Sequence, residues 1–294
     1  MSLALGVDLG GTNARAALVE RDTGRVVASA KQAWTERTPE VVVRETAALV
    51  TALTREHGFG EGAVGVGFAG MLRGGVVVNA PNLGWRDVDF GGQLERALGR
   101  RVTLVNDLSA AAWGEAKAGC AKGARDVFTV FVGTGVGSAI ITGGQLLVGA
   151  SQVAGEFGHV KLVLESGRLC GCGQRGCLEA YMGGAKLQEW MKEEGIAGTA
   201  SELEGMASRG EKKAKTLYDF AVGHLALAIA NQVSVLNPEV LVLGGGVLSR
   251  CPGMVQRVKD VIAHRATVAS RAALRVELAT LGDDSGLVGA ALLT

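Results

Sequence analysis

Twice along this chain a short apolar run meets a glycine-rich turn and resumes as a second apolar run, at 3–19 (LALGVDLGGTNARAALV) and at 127–142 (VFTVFVGTGVGSAIIT). Runs of that length, broken by Gly and flanked by polar residues, predict paired strands. One copy in each half points to an internal duplication rather than a solenoid, whose period is roughly 20–50 residues. Helix-like spacings at 39–57, 88–98, 108–119, 178–193, 201–208, 212–236, 255–265 and 286–293 alternate with strand-like runs at 63–70, 101–105, 240–246 and 274–280. Pro39 suits a first helical turn, and Ser201 with Glu204 forms a candidate capping box. Alternation of this kind predicts an α/β protein with helix-covered sheets, and 294 residues suit about two domains.

Composition narrows the function. The chain has 45 glycines, about twice the usual share of roughly 7%, but only 4 prolines and no G-X-Y period, so collagen and disordered tracts are excluded. Its glycines belong in loops and close backbone contacts. A formal charge of +1 supplies no field that would gather nucleic acid or an anionic membrane, which favours a small-molecule function. The opening residues, MSLALGVDLGGT, carry no basic stretch and reach Asp8 early, so a soluble cytoplasmic protein is expected. Of five cysteines, three fall at 170, 172 and 177, a spacing that favours metal ligation over disulfides.

Chemistry-bearing residues cluster in a few places. The turn Asp8-Leu-Gly-Gly-Thr-Asn13 lets backbone N–H groups approach an anion at Gly10 and Gly11, with the Thr12 hydroxyl beside them. A plain tight hairpin would read the same way. The second turn, Gly133-Thr134-Gly135-Val-Gly137, repeats those donors, and two such turns suit a nucleotide's phosphates better than either does alone. Asn106 and Asp107 end a strand before a helix, where α/β sheets present ligand groups. Asp107 is either the base that takes an acceptor's proton or the N-cap of that helix. His159 with Cys170, Cys172 and Cys177 reads either as a closed Cys3His set suited to structural zinc, the glycines between the thiols allowing sharp turns, or as buried or redox cysteines. Glu156 and Glu179 flank that set, either as partners for sugar hydroxyls or as solvated charges.

Taken in order, DLGGTN (8–13), PNLGW (81–85), NDLSAAAWGE (106–115), GTGVG (133–137), GEFGH (155–159), CGCGQRGCLEAY (170–181) and NPEVLVLGGG (237–246) resemble the ROK group of bacterial sugar kinases and repressors, above all its zinc-containing glucokinases. The resemblance spans nearly the whole chain. It implies a two-lobed actin- and hexokinase-like α/β fold, ribonuclease-H-like in each lobe, with an interdomain cleft. The implied lobes are 1–112, rejoined by a C-terminal helix at 284–294, and 113–283, which holds the zinc loop and a dimerisation surface. The implied reaction is ATP-dependent phosphorylation of a hexose, glucose foremost, with N-acetylmannosamine or fructose as alternatives. Asp107 matches the catalytic base, and Asn82, Asn106, Asp107, Glu156, His159 and Glu179 match sugar-binding positions. Gly10, Gly11, Thr12, Gly133, Thr134 and Gly135 match phosphate-loop positions, Asp8 the acid near magnesium, and Gly244, Gly245 and Gly246 the backbone beside the nucleoside. ATP with Mg²⁺, structural Zn²⁺ and a homodimer are implied, without nucleic-acid or membrane partners. The family's repressors carry a helix-turn-helix ahead of the first phosphate turn, for which a turn starting at residue 8 leaves no room.

One departure stands out: Phe68-Ala-Gly-Met71 replaces the proline-glycine turn common in the family. His57, His224 and His264 lack partners at a recognisable spacing, and Cys120 and Cys251 read as structural thiols. Trp113 reads as a packing residue rather than one that stacks on sugar, whereas Trp85, in the PNLGW loop, is less easily dismissed as a ligand contact.

Overall fold

A computed structural model describes residues 2–294 and shows two compact units, one running to Gly123 and including Gln145–Ala154 and Thr280–Thr294, the other Ala124–Gly144 with Gly155–Ala279. The boundary therefore lies beyond residue 112. The whole Asp107–Lys117 helix stays in the first unit because it packs along the C-terminal helix, Ser285–Ala291.

In the first unit the strands lie in the order Val26–Ala33, Asn13–Glu20, Leu3–Leu9, Val64–Phe68, Val102–Asn106. The first three are antiparallel neighbours, and the last two join in parallel, with Asp8 opposite Gly67 and Phe68 opposite Asn106. In the second unit Val136–Thr142, Val127–Val132, Val240–Gly244 and Arg275–Leu278 follow one another with the same pattern, an antiparallel hairpin and then parallel strands. The duplication seen in the turns thus extends to the sheets.

Residue alternation decides which face of the first sheet packs where. Leu5, Val7, Leu9, Val64, Val66 and Phe68 point to one core, beneath the Pro39–Glu56 and Phe90–Leu98 helices. Their neighbours Ala4, Gly6, Gly65 and Gly67 leave a groove on the other face, and the C-terminal helix fills it. A Cβ at Gly65 would stand 1.7 Å from Ala290 O, and one at Gly6 only 2.4 Å from Leu287 O. Helix meets helix equally closely, since a Cβ at Gly289 would lie 1.7 Å from Ala110 O.

Elsewhere local structure departs from the sequence pattern for identifiable reasons. The expected helix at 178–193 is broken into Glu179–Met182 and Gly184–Glu193, because Gly183 is extended (ψ 129) and Gly184 N–H donates to Gly133 O. The capping box is made by Thr199 and Glu202, not by Ser201 and Glu204. Glu204 instead accepts from Gly253 and Met254 N–H at the start of the Pro252–Arg265 helix and from the Tyr218 hydroxyl. The run at 63–70 ends as a strand at Phe68, and Met71–Arg73, Val76–Ala80 and Trp85–Val88 form a small antiparallel sheet of their own. The Lys212–Leu236 helix is long and apolar enough to cross a membrane, and in this fold its Leu217, Val222, Leu225, Ile229 and Val233 are buried in the second unit's core.

Gly65→Ala is expected to lower unfolding free energy by about 3 kcal/mol or more, since backbone rather than a movable side chain opposes the new methyl. Gly60→Ala, which meets nothing within 4 Å, should shift it by less than about 1 kcal/mol. Urea unfolding of the two variants side by side checks the contrast.

Candidate active site and metal centre

The Val102–Asn106 strand hands its last residue to the next helix as a cap. Asn106 Oδ1 accepts from Leu108 N–H (3.0 Å) and Ser109 N–H (3.3 Å), and its Nδ2 donates to Gly70 O (3.1 Å). The capping duty weighed for Asp107 therefore belongs to Asn106, which keeps one amide hydrogen beyond those three bonds. Asp107 is the first helical residue, and its Oδ1 accepts from Leu108 N–H at 2.9 Å. Burial lifts its carboxyl to about 6, against the pull of that N–H, and the charge of nearby Asp8 adds to the rise. Burial raises Asp8 too, partly countered by Arg15. Gly67 lies opposite Asp8, and a Cβ on it would press Ala110 Cβ at 3.3 Å and stand 3.8 Å from Asp107 Cα.

The first glycine turn is closed by Gly10 N–H donating to Asn13 O (3.0 Å). Trp34, unmarked in the sequence reading, holds it from outside: its indole N–H donates to Gly10 O (3.1 Å) and its backbone N–H to Thr12 O (3.0 Å). Asn82 is exposed and lies against the turn, its Cβ 3.0 Å from where a Gly11 side chain would begin. Trp85 is not a ligand contact. It is buried between Phe68 and Phe90, with its N–H donated to Arg37 O at 2.6 Å. The Phe68–Met71 stretch is held by Ala69 N–H to Leu9 O (3.2 Å) and by the Asn106 bond to Gly70. Trp113 packs as read, its N–H on Leu292 O and Lys117 over its ring.

In the second unit the donor atoms of His159, Cys170, Cys172 and Cys177 all lie within 4.8 Å of one another. Tetrahedral zinc, with Zn–S about 2.3 Å and Zn–N about 2.0–2.1 Å, separates neighbouring sulfurs by about 3.8 Å and sulfur from nitrogen by about 3.6 Å. Cys172 and Cys177 Sγ are 3.7 Å apart, and Cys170 Sγ is 3.6 Å from His159 Nδ1. The set therefore fits zinc through Nδ1, with four protein donors and no position for water. His159 Nε2 faces away, 3.5 Å from Glu156 Oε2. Lys161 Nζ donates to Cys177 Sγ (3.0 Å) and Arg175 O (3.2 Å), a positive neighbour for a thiolate. Glu179 is half-buried, its Oε1 3.7 Å from Cys170 Sγ and its Oε2 accepting Val136 N–H at 3.0 Å.

That last bond reaches the second glycine turn. Gly133 N–H donates to Gly135 O (3.0 Å), and Gly184 and Ala185 N–H donate to Gly133 and Thr134 O. A cavity of about 550 Å³ opens beside the turn, lined by Gly133, Thr134 and Gly246 together with Gln188, Thr199 and Arg250. The last three carry no motif, since the chain brings them in from separate loops and helices. Gly135, Gly244 and Gly245 are not on its wall. Gly244 is packed against the Phe131 ring, and Gly245 takes a left-handed φ of 86° where the Gly245–Leu248 helix starts. The expected residues thus form two groups, Asp8, Gly10–Thr12, Asn82, Asn106 and Asp107 on the first unit, and Gly133–Gly135, Glu156, His159, Glu179 and the cysteines on the second.

The family model described as the ROK family matches residues 4–294. The chain belongs to the ROK family. It is 33% identical to a glucokinase of Streptomyces coelicolor over 99% of this chain and 97% of that protein. The crystal structure of a ROK hexokinase from Thermus thermophilus superposes with a TM-score of 0.87 at 31% identity, covering 99% of this chain and 97% of that one. That of a ROK family glucokinase from Streptomyces griseus, in complex with glucose and AMPPNP, gives 0.79 at 32% identity, covering 100% and 99%. The fold is that of the actin-like sugar kinases.

Two outcomes follow from this geometry. A carboxyl raised from 3.8 to about 6 contributes stability below its unfolded value and loses it as pH climbs through 6. Asp107→Asn should accordingly be more stable than the parent above pH 7, by up to about 3 kcal/mol, and should show no such advantage at pH 3. Chemical unfolding at both pH values tests it. Metal analysis of freshly purified, reduced protein should find about one zinc per chain and little in Cys172→Ser, and an empty parent protein would remove the metal assignment.

Proposed function

We propose that this chain transfers the terminal phosphoryl group of ATP to a hexose, glucose being the preferred acceptor and glucose 6-phosphate the product. The observation that carries the reading is Asp107, a carboxyl at a strand end, relieved of capping by Asn106 and raised to about 6. At pH 7.5 such a group is mostly ionised yet more basic than an exposed aspartate, which suits general-base work. The sugar's primary hydroxyl gives its proton to Asp107 as its oxygen bonds to the γ-phosphorus. The bond from that phosphorus to the β-phosphate oxygen breaks, and ADP leaves.

Asn82, Asn106, Glu156, His159 and Glu179 are assigned to the sugar. The Nε2 of His159, turned away from the thiols toward Glu156, suits a hydroxyl partner. Gly10, Gly11, Thr12 and the Gly133–Gly135 turn are assigned to the phosphates, and the cavity by Thr134 and Gly246 to the nucleoside. Asp8 is the residue that would hold magnesium brought in with ATP, which would neutralise phosphate charge there. Zinc in the Cys3His set is structural, and the protein is assigned to the cytoplasm as a homodimer. The likeness to glucokinases, one of them solved with glucose and AMPPNP, supports glucose as the acceptor.

A coupled ADP-release assay across glucose, fructose and N-acetylmannosamine should give the highest kcat/KM with glucose. Asp107→Asn should cut turnover by about 10²- to 10⁴-fold with the fold retained. Absence of sugar-dependent ADP release from the parent protein would sink the reading, and unchanged turnover in the variant would remove Asp107 from it.

A further inference from the structure

Glu179 sits between two structures that the sequence presents as separate. Its Oε1 lies 3.7 Å from Cys170 Sγ, inside the donor cluster, while its Oε2 accepts the N–H of Val136, within the second glycine turn, at 3.0 Å. The contact allows no slack, since a Cβ on Gly135 would stand 2.4 Å from the same Oε2. The backbone that follows Glu179 holds the turn from the other side. Gly183 N–H donates to Glu179 O at 2.9 Å, Gly184 N–H to Gly133 O at 2.8 Å and Ala185 N–H to Thr134 O at 3.1 Å. Glu179 itself stands two residues beyond Cys177, which is buried and belongs to the donor set. The Glu179 carboxylate is thus adjacent to the thiol cluster both in sequence and in space, and it holds the turn whose Gly133 and Thr134 line the 550 Å³ cavity.

From this we infer that Glu179 is a positioning residue for the phosphoryl donor. It ties the Cys3His cluster to the glycine turn, so that metal occupancy sets nucleotide affinity even with no sugar bound. The nucleotide half of the inference rests on the kinase reading; the tie itself does not. A carboxylate accepting a backbone N–H is among the stronger hydrogen bonds, and losing it leaves the turn to the backbone bonds from Gly184 and Ala185 and to its own strand pairing. The role differs from contact with sugar hydroxyls, because it acts through backbone shape and should survive a neutral acceptor at the same place.

Two measurements on the full-length protein decide it, both made without sugar. Hydrogen exchange of the 133–137 amides should quicken about tenfold after zinc is stripped by a chelator and in Glu179→Ala. Glu179→Gln, whose amide oxygen can still accept from Val136, should stay near the parent. Calorimetry with Mg²⁺·AMPPNP should show about tenfold weaker binding in the first two proteins and about the parent value in the third. Exchange that does not change on stripping or in Glu179→Ala overturns the tie, as does a Glu179→Gln protein that exchanges as fast as Glu179→Ala. Faster exchange with unaltered AMPPNP affinity overturns the donor role. A parent protein that binds no AMPPNP refutes the kinase reading and the donor role with it, while the exchange result still decides the tie.

Discussion

The C-terminal helix meets the first sheet and the Asp107–Lys117 helix at backbone-to-backbone distance, and most of the candidate catalytic chemistry rests on that approach. Gly6 and Gly65 on the strands, Gly114 on the neighbouring helix and Gly289 on the C-terminal helix itself each face carbonyl or amide groups where a side chain would begin. Close approach adds dispersion contacts over the whole length of the helix and leaves no space for water. Gly286, near the helix start, has the Asp8 carboxylate and the Asp107 carbonyl among its nearest neighbours, at 3.7 and 3.8 Å from a Cβ position. A residue near the end of the chain thus lies against the Asp8 carboxylate and the backbone of Asp107. Burial is the main cause of the raised Asp107 carboxyl, and the charge of Asp8 adds to it.

The second unit organises its loops by a different means. Residues 155–178 contain little regular structure beyond the Phe157–His159 turn of 3-10 helix and two isolated bridges, Lys161 with Cys177 and Leu169 with Arg175. Three thiols and an imidazole nitrogen within 4.8 Å repel one another once the thiols ionise, and a divalent cation turns that repulsion into a cross-link. Arg168 adds an outer brace through its ion pair with Glu193 and its position over the Trp190 ring.

Residues whose roles are local could be read directly. Cysteines at 170, 172 and 177 with His159 were legible as one donor set because metal ligation constrains residue type and spacing together. The hairpin around each glycine turn was legible from strand periodicity, and Asp107 from its place at a strand end. Trp34, Gln188, Thr199 and Arg250 were not legible. Each acts through a fold that brings distant segments together, and none carries a local signature of doing so. Trp85 misled because its motif position suggested a ligand contact, whereas the small Met71–Val88 sheet turns its ring into the core. The expected helix at 178–193 failed for the related reason that the carbonyls of Gly133 and Thr134 take the N–H groups of Gly184 and Ala185.

The amino-acid order alone determined the duplicated strand-turn-strand plan, the α/β class, the grouping of His159 with the three cysteines and the short list of candidate acids. All of these depend on residue type and on spacing over a few positions. Tertiary structure decided which of Asn106 and Asp107 caps the helix, which nitrogen of His159 faces the thiols, and that Glu179 spans from the cysteines to the glycine turn. It also decided that Gly6, Gly65 and Gly114 serve as contact surfaces for a single helix. Those outcomes are set by distances between segments far apart in the chain, and such distances exist only once the backbone has packed.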